Sequence, residues 1–289
     1  MTLGETSQFL QDEVTVTLIA TVDALKYAPW SFSKIETADS CPLQFQHRHL
    51  LKSQSSAKTS DTQVGTAAHA IIERRVGGAT HALATKEALA QTPLTADEQE
   101  TLRTLDERID TFVRKFDGFC KAQGVTEIFV EVEWAFTADF KRVGFWDKDA
   151  FFRGKMDLGA ITRDRDLIVI DHKSGFAKDL KRDVKKKQQL QGYAILGIAN
   201  VEGVSGVRGA IHYLQGDEAK AIQWADYVDA TRVRDVFTPW LFTRINETAL
   251  TLPSDGSPFP AKPGLRWPCE WCGYQAYCKA FQEMMSGEA

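Results

Sequence analysis

The sequence lacks any apolar run approaching the roughly 20 residues that span a bilayer. Its polar start, Met1-Thr2-Leu3-Gly4-Glu5, is no secretory leader either, so a cytoplasmic protein without a membrane partner is expected. Positive charge is not in excess: 35 Lys and Arg against 39 Asp and Glu leave a formal net charge of -4. That removes an overall pull toward nucleic acid but leaves room for a local basic groove. Cysteine is sparse, five in 289 residues, which in a reducing compartment excludes a disulfide framework and directs attention to metal chemistry. No G-x-x-x-x-G-K-[ST] phosphate loop occurs, so no P-loop motor is built in. Internal repeats and low-complexity tracts are also missing. What remains, 43% hydrophobic and 26% charged residues, is the balance of an ordinary globular chain.

Patterning divides that chain. Val14 to Ala20 suits a strand or a helix start, and residues 32–43 read as a short helix and turn. Residues 53–61 form a polar linker with almost nothing to bury. From Gly65, residues Ala68, Ile71, Ile72 and Val76 recur at helical spacing until Gly77-Gly78. Residues 80–123 are mostly helical, with Leu102, Leu105, Ile109, Phe112, Val113 and Phe116 on one amphipathic face. Strand-like alternation follows at 128–136, 151–161 and 167–170, then a helix over about 183–199, a strand at 207–214 and a long helix over 226–246. The expected class is α/β: an antiparallel meander extended by a helical crossover into one mixed sheet.

Gly154-Lys155-Met156-Asp157 lies in the second strand of that meander, and Asp171-His172-Lys173 closes the third. Hairpin pairing brings Asp157 and Asp171 to the same end of the sheet. Two carboxylates there repel unless a proton or cation sits between them, which makes a divalent metal the physical resolution. Strand alternation puts Asp171 and Lys173 on one face and His172 on the other. A lysine beside such carboxylates can position water and offset phosphate charge. On the first long helix, His69 and Glu73 share a face in a Gly-x-x-x-His-x-x-x-Glu pattern, either as a metal ligand delivered to the sheet or as a solvated pair.

Lys178, Lys181, Arg182, Lys185, Lys186 and Lys187 form the one dense basic cluster. It is either a phosphate-backbone track or a solvated helix start. Gln189 and Tyr193, four apart, face one groove, and Arg153 and Lys155 are candidates to extend the track.

Cys269, Cys272 and Cys278 form a C-x₂-C-x₅-C cluster in a tail rich in Pro and Trp. Three thiolates cannot close a tetrahedral site, so a fourth ligand must come from elsewhere. Cys41, followed by Pro42, is the natural candidate, and Cys120, inside a helical stretch, is its rival. Iron–sulfur is preferred and zinc is the second choice. Trp271, Tyr274 and Tyr277 would shield the group. The site would tie the start of the chain to its end, with a structural role.

In this order, the first cysteine, G-x-x-x-H-x-x-x-E, G-x-x-D, D-x-K with Q-x-x-x-Y and the cysteine tail, the chain resembles the PD-(D/E)XK nuclease superfamily. The likeness is to its iron–sulfur branch, that of the CRISPR-associated RecB-like exonucleases and the AddB-type nuclease domain, and it spans residues 33–278. The resemblance implies a restriction-endonuclease-like core with a mixed central sheet flanked by helices, over about 63–78 and 125–250 of a single domain 1–289. A helical insertion at about 79–124 and an iron–sulfur knot of Cys41 plus 266–280 complete it. It implies that His69, Asp157, Asp171 and the carbonyl of His172 bind Mg²⁺ or Mn²⁺, and that Lys173 activates or positions water. Gln189 and Tyr193 would support the site, while Cys41, Cys269, Cys272 and Cys278 would hold a [4Fe-4S] cluster. The expected activity is a metal-dependent deoxyribonuclease, an exonuclease on single-stranded ends, with a second copy of itself or a DNA-processing protein as candidate partners. The alternatives are a DNA-end-binding or assembly subunit with little catalysis of its own, and a zinc-stabilised hydrolase of small phosphoesters.

Overall fold

The computed structural model describes residues 19–55, 60–264 and 269–287, so most of the Val14 to Ala20 stretch lies outside it. Three short helices, α1 (Val22–Lys26), α2 (Phe32–Ser40) and α3 (Pro42–Phe45), precede the longer α4 (Ser60–Val76). Helices α5 (His81–Gln91), α6 (Ala96–Arg103) and α7 (Asp106–Gln123) lead to strands β1 (Glu127–Phe136), β2 (Arg142–Val143), β3 (Phe152–Ile161) and β4 (Asp166–Phe176). Helix α8 (Val184–Asn200) then crosses to β5 (Gly206–Gln215), with β6 (Ile222–Trp224) and β7 (Val228–Asp229) at its far edge. Helices α9 (Ala230–Arg232), α10 (Thr238–Leu250) and α11 (Lys279–Ser286) follow.

The sheet order is β2-β1-β3-β4-β5-β6, with β7 also on β5. β1 with β3 and β3 with β4 are antiparallel, whereas β4 and β5 are parallel, as a meander followed by a helical crossover requires. The central strand is apolar on both sides. Leu167 and Val169 join a core with Trp30, Phe45, α8 and α10, and Ile168 and Ile170 join a core with α4 and α7. Full burial of each such side chain contributes about 1.5–3 kcal/mol, so this strand fixes the sheet between its two helical layers. Residues 79–124, read from sequence as a helical insertion, pack on the same side of the sheet as α4: Ala84, Leu102, Ile109 and Phe112 share one core with Ile71 of α4.

Two helix starts differ from those expected from the sequence. Helix α4 starts at Ser60, five residues before Gly65, whereas the periodic apolar signal begins only where Val64 and Ala67 meet the core. The helix expected from residue 226 begins at Ala230. Val228 and Asp229 are taken by pairing with β5, and the Asp229 carboxylate caps the helix by accepting the Arg232 N–H at 2.8 Å. After a π-helical turn at Val233–Phe237 the helical path continues to Leu250. Among the described residues, no helix is long and apolar enough to cross a membrane.

Candidate functional site

β3 and β4 pair only from Ile161↔Leu167 to Leu158↔Ile170, and the next positions are Asp157 and Asp171. The strands part there, and Trp30 takes over the freed edge of β3 by donating to Phe151 O and accepting from Arg153 N. Asp157 stands in the resulting fork, its Oδ2 accepting the His172 N–H at 2.7 Å. Burial first, then the Asp171 charge, pushes the Asp157 carboxyl up to about 7.

α4 brings His69 to the fork, its Nδ1 3.5 Å from Asp157 Oδ2. The helix can pass this close because residue 65 has no side chain: a Cβ there would lie 2.8 Å from Ser174 Oγ at the end of β4. Burial holds the His69 imidazole below its usual range, so it is neutral and free to donate a lone pair to a metal.

β1 adds a residue that sequence reasoning did not name. His69, Glu131 and Asp157 each offer a ligand atom within 4.8 Å of the others, the one such set of three among the described residues. Glu131 gets there through a left-handed backbone, φ 51°, which is strained for a residue with a side chain. On one side of it, Val130 and its partner Leu158 pack toward α4. On the other, Val132 and its partner Met156 pack toward α8. Both strands therefore exchange faces at the single step that holds Glu131 and Asp157. The Glu131 carboxylate also pairs with Lys155. Glu73, one turn beyond His69, has a raised carboxyl pKa through burial and then the Glu131 charge.

Asp171 is held from the opposite layer. Its Oδ1 accepts from Gln189 Nε2 at 2.9 Å and from the Tyr193 hydroxyl at 3.3 Å, and Lys186 Nζ backs Gln189 at 3.3 Å. The spacing of Gln189 and Tyr193 on α8 thus does place both on one carboxylate. Asp171 Oδ2 is buried and makes no hydrogen bond; the Lys173 ammonium lies 2.6 Å away as an ion pair without hydrogen-bond alignment. Asp171 lies outside the set of three but close enough to raise Asp157. The His172 ring turns to the other face, as alternation requires, with Nδ1 2.9 Å from His212 Nδ1 and its plane edge-on to Phe112. Complete burial keeps it neutral.

Of the basic run, Lys178, Lys181, Arg182, Lys185 and Lys187 are exposed, while Lys186 turns inward to Gln189. Burial, then the Lys173 charge, lowers the Lys186 ammonium pKa. Lys185 also pairs with Glu36 at 3.7 Å, and Arg182 with Asp179 at 3.6 Å. Lys155 is committed to Glu131, and Arg153 stacks on Phe145 and Trp146 instead of standing free.

Far along the chain, Cys41, Cys269, Cys272 and Cys278 line one cavity. Burial raises the Cys272 thiol, and the other three cysteines raise it further, which places all four within electrostatic reach. Cys120 sits apart, packed against the core of α4 and α7. No three of the cavity thiols come within 4.8 Å of one another. Cys269 Sγ accepts the Gly264 N–H at 3.3 Å. Tyr274 and Tyr277 stack on His47, which also lines the cavity; the Trp271 side chain lies outside the described residues.

The sequence profile of the PD-(D/E)XK nuclease superfamily matches residues 29–279, a span that contains the fork and all four cavity cysteines. The chain belongs to the PD-(D/E)XK nuclease superfamily. No protein of curated description matches it. Among solved structures, it is similar to a protein from Eubacterium rectale named as a candidate exonuclease, at 14% identity over 88% of this chain and 86% of that one, with a TM-score of 0.48. It is also similar to SSO0001, at 16% identity over 89% of this chain and 94% of that one, with a TM-score of 0.34.

In this PD-(D/E)XK chain the strained Glu131 separates a metal role from a structural one. Glu131→Gly, which the left-handed backbone accepts without strain, is expected to keep or raise the unfolding midpoint. Calorimetric titration should show Mn²⁺ binding weakened by about tenfold or more. Lost stability with unchanged Mn²⁺ binding would contradict this.

Asp157 sets a pH dependence with a definite sign. Between its ordinary value near 3.8 and about 7, the folded chain holds a proton that the unfolded chain has released. The stability contributed by this carboxyl in metal-free protein therefore falls as pH rises through that window. Denaturant midpoints in EDTA at about pH 5 and about pH 7.5 should diverge more for the parent protein than for Asp157→Asn, the parent being favoured at the lower pH. A stability gain with rising pH that is specific to the parent would refute the assignment.

Proposed function

We propose that the protein is a Mg²⁺- or Mn²⁺-dependent deoxyribonuclease that hydrolyses phosphodiester bonds, acting as an exonuclease on single-stranded ends. One observation carries the reading: a neutral imidazole and two carboxyl groups whose ligand atoms lie within 4.8 Å of one another, near the buried Asp171 carboxylate and its Lys173 partner. The carboxylate oxygens suit Mn²⁺ or Mg²⁺, and of the two the softer Mn²⁺ takes the imidazole nitrogen more readily. His69, Glu131, Asp157 and the hydrogen-bond-free Asp171 Oδ2 are the groups that would hold the ion. The bound ion would lower the pKa of a water and neutralise charge on the scissile phosphate.

The remaining work falls to the chain. Gln189 and Tyr193 fix one Asp171 oxygen and leave the other, beside Lys173, without a hydrogen bond. Lys173 keeps an ammonium where negative charge grows on the phosphate oxygens. The exposed cations of 178–187, on the approach to α8, attract the phosphate backbone. Buried like charges of this kind are a cost that a module built only for binding has no reason to bear.

Cys41, Cys269, Cys272 and Cys278 are proposed to hold a [4Fe-4S] cluster with a structural role. A single zinc with bonds of about 2.3 Å draws tetrahedral thiolates to roughly 3.8 Å apart. No three of the four thiols lie mutually within 4.8 Å around their cavity, so they do not already form the close tetrahedron that a single zinc draws.

Lys173→Ala, checked by circular dichroism to be folded at the assay temperature, should lower Mn²⁺-dependent release of nucleotides from end-labelled single-stranded DNA by about 100- to 1000-fold. Activity retained within a few-fold would place the chemistry elsewhere. Anaerobically purified protein should be brown with broad visible absorption, and Cys272→Ala should bleach it. A colourless parent carrying stoichiometric zinc would overturn the cluster.

A further inference from the structure

We propose that the turn between β2 and β3 carries a base-stacking platform, Trp146 backed by Phe145 and Arg153, that grips single-stranded nucleic acid beside the fork. The proposal rests on the nuclease reading and adds where the strand is held.

Trp146 is the most exposed aromatic residue among those described, at 76%. It is nevertheless built into place. Its ring meets Phe145 edge-on at 5.0 Å and 82°, and the Arg153 guanidinium carbon lies 4.8 Å from the Trp146 ring centre and 4.9 Å from that of Phe145. Arg153 also donates to Phe145 O at 3.3 Å. The turn itself is closed by Asp147 N–H to Gly144 O at 3.0 Å, Asp149 N–H to Asp147 Oδ1 at 2.9 Å and Ala150 N–H to Asp147 O at 3.2 Å. An isolated surface tryptophan is ordinary, but one that is pre-ordered and cation-backed presents a flat ring at little further entropic cost.

Its position connects it to the fork. Arg153, Lys155 and Asp157 occupy alternate positions on β3, while the intervening Gly154 and Met156 face α8. At a strand rise of about 3.3 Å per residue, Arg153 is roughly 13 Å from Asp157, a distance that a few nucleotides cover. Asp147 and Asp149 follow Trp146 with only Lys148 between them, so the turn carries no net positive charge to draw a phosphate. What the turn offers is a π-face for a base, and stacking of that kind tolerates any sequence. Bases inside a duplex have both faces covered already, so the platform favours a single strand or a frayed end.

The test is fluorescence anisotropy of a labelled single-stranded oligonucleotide with full-length protein in EDTA, so that binding is read without cleavage. Trp146→Ala should weaken binding about 5- to 150-fold, and Trp146→Phe should retain part of the affinity. An oligonucleotide made abasic throughout should bind the parent and Trp146→Ala equally. Parent-like affinity of Trp146→Ala for the normal strand would sink the platform while leaving the nuclease reading intact. The platform also fails if Trp146→Ala loses affinity equally for normal strand, abasic strand and blunt duplex, or if it changes only the sedimentation behaviour. Failure of the parent to bind any DNA would remove the nuclease reading along with the platform.

Discussion

Carboxylates that repel one another are held in a partly dry fork between two strands. Asp157 and Asp171 meet where β3 and β4 part, and Glu131 is turned in beside them. Placed in water, such groups would move apart; the sheet does not allow it. The chain answers with the His172 N–H on Asp157, Gln189 and Tyr193 on Asp171, and the ammoniums of Lys173 and Lys155. Burial first, and then the Asp171 charge, still raise the Asp157 carboxyl despite these partners. A proton or a cation is the natural complement.

Both layers of the protein serve that fork. From one face α4 supplies His69, with Gly65 permitting the approach; from the other α8 supplies Gln189, Tyr193 and Lys186. The doubly buried run Leu167–Ile170 leads straight into Asp171, so the apolar contacts that stabilise the sheet also set where the carboxylate emerges. The cysteine cavity performs a comparable service at long range by joining residues near both ends of the described chain.

Much of this was legible in the sequence because it depended on local periodicity. Strand alternation separated Asp171 and Lys173 from His172, and helical spacing put Gln189 and Tyr193 together. The spacing of the tail cysteines pointed to a missing fourth, and the cavity groups Cys41 with them while leaving Cys120 in the helical core. Glu131 was not legible for a physical reason. It sits in the alternating run Val130-Glu131-Val132-Glu133, where period two assigns each residue a fixed face. A left-handed residue breaks that assignment, and its usual markers, glycine or asparagine, are missing here. The available signal was register: an acidic residue on β1 directly across from Asp157 on β3. The role of Lys186 was hidden likewise, because a run of similar lysines does not reveal which one folds inward.

Anomalous diffraction from crystals soaked in Mn²⁺ would locate the ion itself. A peak is expected in the fork about 2.0–2.6 Å from the oxygens of Asp157 and Glu131, with His69 completing its shell. A fork without a peak in saturating Mn²⁺, or an ion bound elsewhere while these three side chains stay apart, would contradict a shared metal site.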